Sequence, residues 1–118
     1  MVTYKLPLIM ITVLEYLDSN GNSLFAKWFA TLNAPAAAKV TTALIRIEQG
    51  NFSNSKSVGA GVFEYRIEFG PGYRIYFGKY GETVVILLGG GTKKHQSEDI
   101  LAARSCWQDF KARKIKET

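Results

Sequence analysis

A chain of 118 residues is the length of one domain, and 47% hydrophobic against 21% charged residues is the balance of a buried core, which excludes a disordered tail. No apolar run reaches the roughly 20 residues of a membrane-spanning helix, and the apolar patch Leu6–Val13 behind a lone Lys5 lacks the features of a secretory signal. Fifteen Lys and Arg against ten Asp and Glu leave a net charge of +5, which suits a partner bearing phosphates or carboxylates, and the lone cysteine, Cys106, argues for a reducing, cytoplasmic setting.

Leu8–Tyr16, rich in Ile, Val, Thr and Tyr, predicts a first strand, and Asn20-Gly21-Asn22 a turn after it. Ser23 is placed to cap a helix in which Phe25, Trp28, Phe29 and Leu32 recur at helical spacing. Asn33-Ala34-Pro35 breaks and restarts the chain. Ala37, Val40, Leu44 and Ile47 then form one stripe, and Gly50-Asn51 supplies the stop, so two short helices make a hairpin. Asn51–Gly61, polar and glycine-bearing, reads as a loop carrying Lys56. Val62–Phe69 alternates, with Phe63, Tyr65, Ile67 and Phe69 on one face and Glu64, Arg66 and Glu68 on the other. After the turn Gly70-Pro71-Gly72, Tyr73–Phe77 alternates again. A second turn at Tyr80-Gly81-Glu82 leads to the apolar run Thr83–Leu88, which Gly89-Gly90-Gly91 is expected to end, followed by a basic loop, Thr92–Gln96. From Ser97 a last helix is expected, with Glu98 and Asp99 in its first turn, lysines and Arg113 near its end, and Ile100, Ala103, Trp107 and Phe110 as its stripe. The predicted order is β-α-α-β-β-β-α in one α+β domain.

Both strands of the middle hairpin carry apolar residues at odd numbers, so even positions share the opposite face. A register pairing Phe69 with Tyr73 sets Glu68 across from Arg74 and Arg66 across from Tyr76. The Thr92–Gln96 loop is then able to bring Lys93 and Lys94 to the same end of the sheet. Arginine offers a rigid fork to phosphate oxygens and lysine a mobile point charge. The competing expectation is a wet sheet face on which Arg66 and Arg74 pair with Glu64 or Glu68, with Lys93, Lys94 and His95 as ordinary surface residues. His95 is the only histidine, which excludes a histidine acid–base pair, and Cys106 reads as packing. Gly89-Gly90-Gly91-Thr92-Lys93 lacks phosphate-loop spacing, and one His, one Cys and dispersed carboxylates make no recognisable metal set. No metal or other cofactor is expected.

The segments Val62-Phe63-Glu64-Tyr65-Arg66-Ile67, Gly70-Pro71-Gly72-Tyr73-Arg74-Ile75-Tyr76-Phe77, Val84-Val85-Ile86-Leu87-Leu88-Gly89-Gly90-Gly91 and Lys93-Lys94-His95-Gln96-Ser97-Glu98-Asp99-Ile100 carry a resemblance. In order, spacing and turn residues the chain resembles the RelE/ParE superfamily of bacterial toxins, and within it the HigB-like addiction module killer proteins. The likeness takes in the helical hairpin, Arg46-Ile47-Glu48-Gln49-Gly50-Asn51 and Lys56.

The resemblance implies a RelE-like domain, a twisted antiparallel sheet packed against an N-terminal helical hairpin and a C-terminal helix. It also implies a toxin neutralised by a cognate antitoxin, often a helix-turn-helix protein, with operator DNA bound only through the complex. Many relatives cut messenger RNA on the ribosome without metal, by attack of a ribose 2′-hydroxyl on the adjacent phosphate. By position, Arg66, Arg74 and Lys94 fall to catalysis and Lys56, Lys93, Tyr76 and His95 to substrate binding. Some relatives use a tyrosine in the final helix where this chain has Asp99-Ile100, which leaves Tyr76, His95, Glu68 or a lysine for proton transfer. Gyrase-poisoning toxins share the superfamily, so a non-nuclease inhibitor and an inactive binding module are the alternatives.

Overall fold

A computed structural model describes residues 10–117. Lys5 and the first residues of the expected apolar patch and strand, Leu6 to Ile9, lie outside the described residues. The elements are β1 (Thr12–Glu15), α1 (Leu24–Phe29), α2 (Ala34–Glu48), β2 (Ser55–Ser57), β3 (Val62–Ile67), β4 (Tyr73–Tyr80), β5 (Val84–Thr92), a 3-10 turn at Lys93–His95, and α3 (Gln96–Glu117). The α+β class, the helical hairpin and the closing helix are as expected. The loop Asn51–Gly61 contributes an additional short strand, because Ser55–Ser57 pairs antiparallel with β3 and sets Lys56 opposite Glu64.

The sheet order is β1-β5-β4-β3-β2. β1 runs parallel to β5, so the sheet is mixed where an antiparallel one was expected. Parallel neighbours need a long crossover, and here the helices and the strand meander supply it. Local sequence accounts for the helix ends. The Ser23 side chain accepts from the Ala26 amide and the Asn33 side chain from the Ala36 amide, each closing an N-terminus, and Pro35 occupies the first turn of α2. Leu32 falls outside α1, which ends at Phe29.

The β3–β4 register differs from expectation by two residues. Ile67 faces Tyr73, Arg66 faces Arg74 and Glu64 faces Tyr76. The cause is a five-residue turn: Gly70 and Gly72 adopt φ of 55° and 79°, and the Gly72 amide donates to the Phe69 carbonyl before Phe69 can reach Tyr73. A shift of two keeps every side chain on its predicted face. β5 also departs, running through Gly89-Gly90-Gly91 to Thr92 instead of stopping at Leu88. Here glycine clears space within a strand: a Cβ on Gly90 would lie 2.2 Å from the Trp28 ring, and one on Gly91 would lie 1.9 Å from an Asp99 carboxylate oxygen.

Two cores sandwich the sheet. Tyr65, Ile67, Ile75, Phe77, Val85 and Leu87 pack with Phe25, Val40, Ala43 and Ile47 of the helical hairpin. Val62, Tyr76, Ile86 and Leu88 pack with Ala103 and Trp107 of α3. Cys106 is half-buried beside the second core, as its packing role required. α3 therefore covers part of the even-numbered face that alternation alone marked as wet. Trp107 lies against Gly78, where a Cβ would meet the indole at 2.4 Å. Among the described residues no helix is long and apolar enough to cross a membrane.

Candidate functional site

The β3–β4 turn and the 3-10 turn after β5 are fastened to one another. The Gly72 carbonyl accepts from the Lys93 amide at 3.0 Å and from an Arg74 guanidinium nitrogen at 3.3 Å. One backbone oxygen thus fixes a strand arginine and a loop lysine in a single corner.

Behind that corner lies Glu64, which has no exposed surface. Its Oε2 accepts from the Tyr76 hydroxyl at 3.2 Å and from Gln96 Nε2 at 2.8 Å. Its Oε1 lies 3.5 Å from Arg66 Nε and 3.6 Å from Arg74 Nε. A buried carboxylate is tolerated only when donors and counter-charge replace its water shell, and here Tyr76, Gln96 and Arg66 donate hydrogen bonds while Arg74 adds a second positive charge. The two guanidinium groups differ in access: the Arg66 side chain is 45% exposed and that of Arg74 only 8%. Arg74 Nε is buried without a hydrogen bond, so its pairing with Glu64 is purely electrostatic.

Three hollows meet around Arg66 and Glu68. The one of about 420 Å³ is walled by the β3–β4 turn, Arg66, Arg74, Lys93 and Gln96. A neighbour of about 450 Å³ is lined by Asn54, Lys56, Arg66 and Glu68. A narrower groove of about 190 Å³ runs toward α2. Among the described residues, Arg46, Lys56, Lys93 and Lys94 make no ion pair. Unneutralised cations in concave surface concentrate positive potential where an anion can enter.

The structure therefore brings Arg66, Arg74 and Lys93 to one hollow and Lys56 to the next. Lys94 and His95 are exposed on the same 3-10 turn but do not line the hollows, and His95 Nδ1 lies 3.8 Å from Glu98. Tyr76 corrects its expected part in binding substrate. It is wholly buried, and its hydroxyl is spent on Glu64. Burial first, then the Glu64 charge, pushes its phenol far above the ordinary value, so it stays a protonated donor. Asp99, where some relatives carry a tyrosine, projects against Gly91. Burial raises its carboxyl above the ordinary range, and its Oδ2 is buried without a hydrogen-bond partner.

Sequence reasoning passed over Glu64 as the organiser, Gln96, and the α2 cations Lys39 and Arg46. The available signal was an acid at Glu64 flanked by the apolar positions Phe63 and Tyr65 within a strand. Gln96 gave none, because its contact spans 32 positions. Among the described residues no three His, Cys, Asp or Glu side chains converge as a metal set.

The fold is RelE-like. A solved structure of a mutant of the E. coli toxin RelE in the free state superimposes with a TM-score of 0.60, covering 80% of this chain and 94% of that one at 14% identity. No family model matches the chain. An uncharacterized protein of Haemophilus influenzae is 42% identical over 87 residues, which make up 73% of this chain and 88% of the relative. The chain belongs to the family of that Haemophilus protein, built on the RelE-like fold.

Proposed function

We propose that this chain is the toxin of a HigB-like toxin–antitoxin pair, a cytoplasmic single-domain endoribonuclease that cuts messenger RNA on the ribosome without a metal ion. The observation that carries the reading is the convergence of Arg66, Arg74 and Lys93 on one open hollow, with the unpaired Lys56 beside it. Such donors suit a phosphodiester better than a protein surface, since each carries charge and points into concave space.

In the proposed reaction a ribose 2′-oxygen attacks the adjacent phosphorus and the P–O5′ bond breaks, leaving a 2′,3′-cyclic phosphate and a 5′-hydroxyl. Arg66, the accessible fork, orients the phosphate for in-line attack. Arg74 on the floor and Lys93 at the wall oppose the charge that grows on its oxygens, with Lys94 adding longer-range positive potential. Lys56 and His95 hold flanking backbone. Glu68, exposed and lining all three hollows, takes the 2′-hydroxyl proton in this reading. The departing O5′ takes its proton from Lys93 or from water. The antitoxin is an acidic-faced helix-turn-helix protein that covers this basic corner and carries the toxin to operator DNA.

A second reading has one observation behind it. Glu64 pairs with both strand arginines, as an inactive binding module would require. The exposure of Arg66 and the unpaired Lys56 and Lys93 weigh against it. Expression in bacteria with pulse-labelling separates the readings. Prompt loss of translation with messenger cleavage is expected, abolished by Arg66→Ala. Blocked DNA synthesis would assign gyrase inhibition, and unimpaired growth an inactive module.

A further inference from the structure

The narrow groove of about 190 Å³ toward α2 is not used by the chemistry above. Its α2 wall carries Lys39, Thr42 and Arg46, and its far side carries Asn54, Arg66 and Phe69. Arg46 is exposed and without an ion pair among the described residues. Phe69 projects from the β3–β4 turn with 36% of its surface exposed, and it lines both this groove and the larger hollow. One of its contacts is Tyr73, stacked with centroids 6.5 Å apart, and another is the Lys39 ammonium, 5.3 Å from the ring centre.

We infer that this groove is a second RNA subsite, taking the nucleotide on the 5′ side of the cleaved linkage. Its phosphate sits on Arg46 and Lys39 and its base on Phe69. The inference rests on the ribonuclease reading. Arg66 and Glu68 line both the larger hollow and the groove, with Arg74 and Lys93 lining only the hollow and Lys39 and Arg46 only the groove. An RNA strand has the matching sequence of phosphate, ribose and phosphate, with the hydroxyl-bearing ribose at the acid. An exposed aromatic ring beside mobile cations is the usual means of holding unpaired nucleotides, because every base has a face to stack while the cations track the backbone. The Lys39 ammonium, resting over the ring in the free protein, turns to the phosphate as the base takes its place.

The test uses the full chain labelled with nitrogen-15 and a single-stranded hexaribonucleotide bearing 2′-O-methyl sugars, which cannot be cut. Amide shifts are expected to run continuously from Lys93 and Gly72 through Phe69 to Arg46 and Lys39. The slope of log affinity against log salt should fall by about 0.7 for each of Lys39→Ala and Arg46→Ala. Lys27→Ala on α1 should leave it unchanged. Phe69→Ala should weaken binding about tenfold, and Phe69→Tyr should restore it. Shifts confined to residues 66–74 and 93–96, with slopes unaltered, would overturn the subsite and leave the ribonuclease reading standing. No shifts anywhere would overturn the subsite, and the ribonuclease reading then stands or falls on cleavage on the ribosome. A glutamate-rich peptide that moves the α2 resonances while the oligonucleotide does not would assign the groove to an acidic protein segment and overturn the inference.

Discussion

Glu64 decides how the basic residues behave, because a carboxylate without exposed surface fixes every donor around it. Glu64→Gln retains the contacts to Tyr76 and Gln96 but leaves Arg74 buried without a counter-charge, so a stability loss of about 3 kcal/mol is expected in a urea titration. Arg66 is different. Its half-exposed pairing with the same carboxylate is worth under about 1 kcal/mol, so Arg66→Ala should leave the urea midpoint nearly in place while removing activity. Asp99 supplies a pH test. Its folded carboxyl is raised above the ordinary 3.8, so in the window just above that value the folded state holds a proton that the unfolded chain has released. Stability therefore falls as pH rises through the window. Asp99→Asn is expected to be more stable than the parent at neutral pH, and thermal melts should show the gap closing below the ordinary carboxylate range. A gap independent of pH would show that Asp99 does not titrate this way.

At the scale of elements, β5 carries the largest departure from what the sequence suggested. Three consecutive glycines read as a stop, yet the strand continues because Trp28 presses on one face at Gly90 and Asp99 on the other at Gly91. No local pattern contains that information: Trp28 comes from α1, far away in the chain, and Asp99, although close in sequence, reaches Gly91 only because α3 folds back over the sheet. Gly90→Ala and Gly91→Ala are each expected to cost about 1–3 kcal/mol through overpacking, read as lower urea midpoints. A second long-range tie joins the end of β1 to α3. The Tyr16 hydroxyl donates to Asp109 at 2.7 Å, while Arg113 pairs with Asp109 and donates to the Leu17 carbonyl. Burial first, then the Asp109 contact, pushes the Tyr16 phenol up to about 12. Between its ordinary value of 10.0 and that point the folded state holds the extra proton, so alkaline pH weakens the fold. Asp109→Asn should bring the tyrosine absorbance titration back toward the ordinary value.

For the molecule as a whole, periodicity was enough to place the helical hairpin, the three long strands and the final helix. Alternation also assigned Glu64, Arg66, Arg74 and Tyr76 to one face. What it could not show is that α3 crosses that face, burying Glu64 and Tyr76 and leaving Arg66 at the open edge, because alternation describes a strand and not what covers it. The register escaped for a related reason: a two-residue slip preserves every face, and only the Phe69–Gly72 turn geometry selects between the alternatives. The most direct test of the whole account is cleavage of messenger RNA by the purified protein on programmed ribosomes, with product ends read by primer extension and phosphate chemistry. The account predicts 2′,3′-cyclic phosphate ends from the parent chain and a rate at least about a hundredfold lower for folded Arg66→Ala and Glu68→Gln. Cleavage by both variants at the parental rate would contradict it.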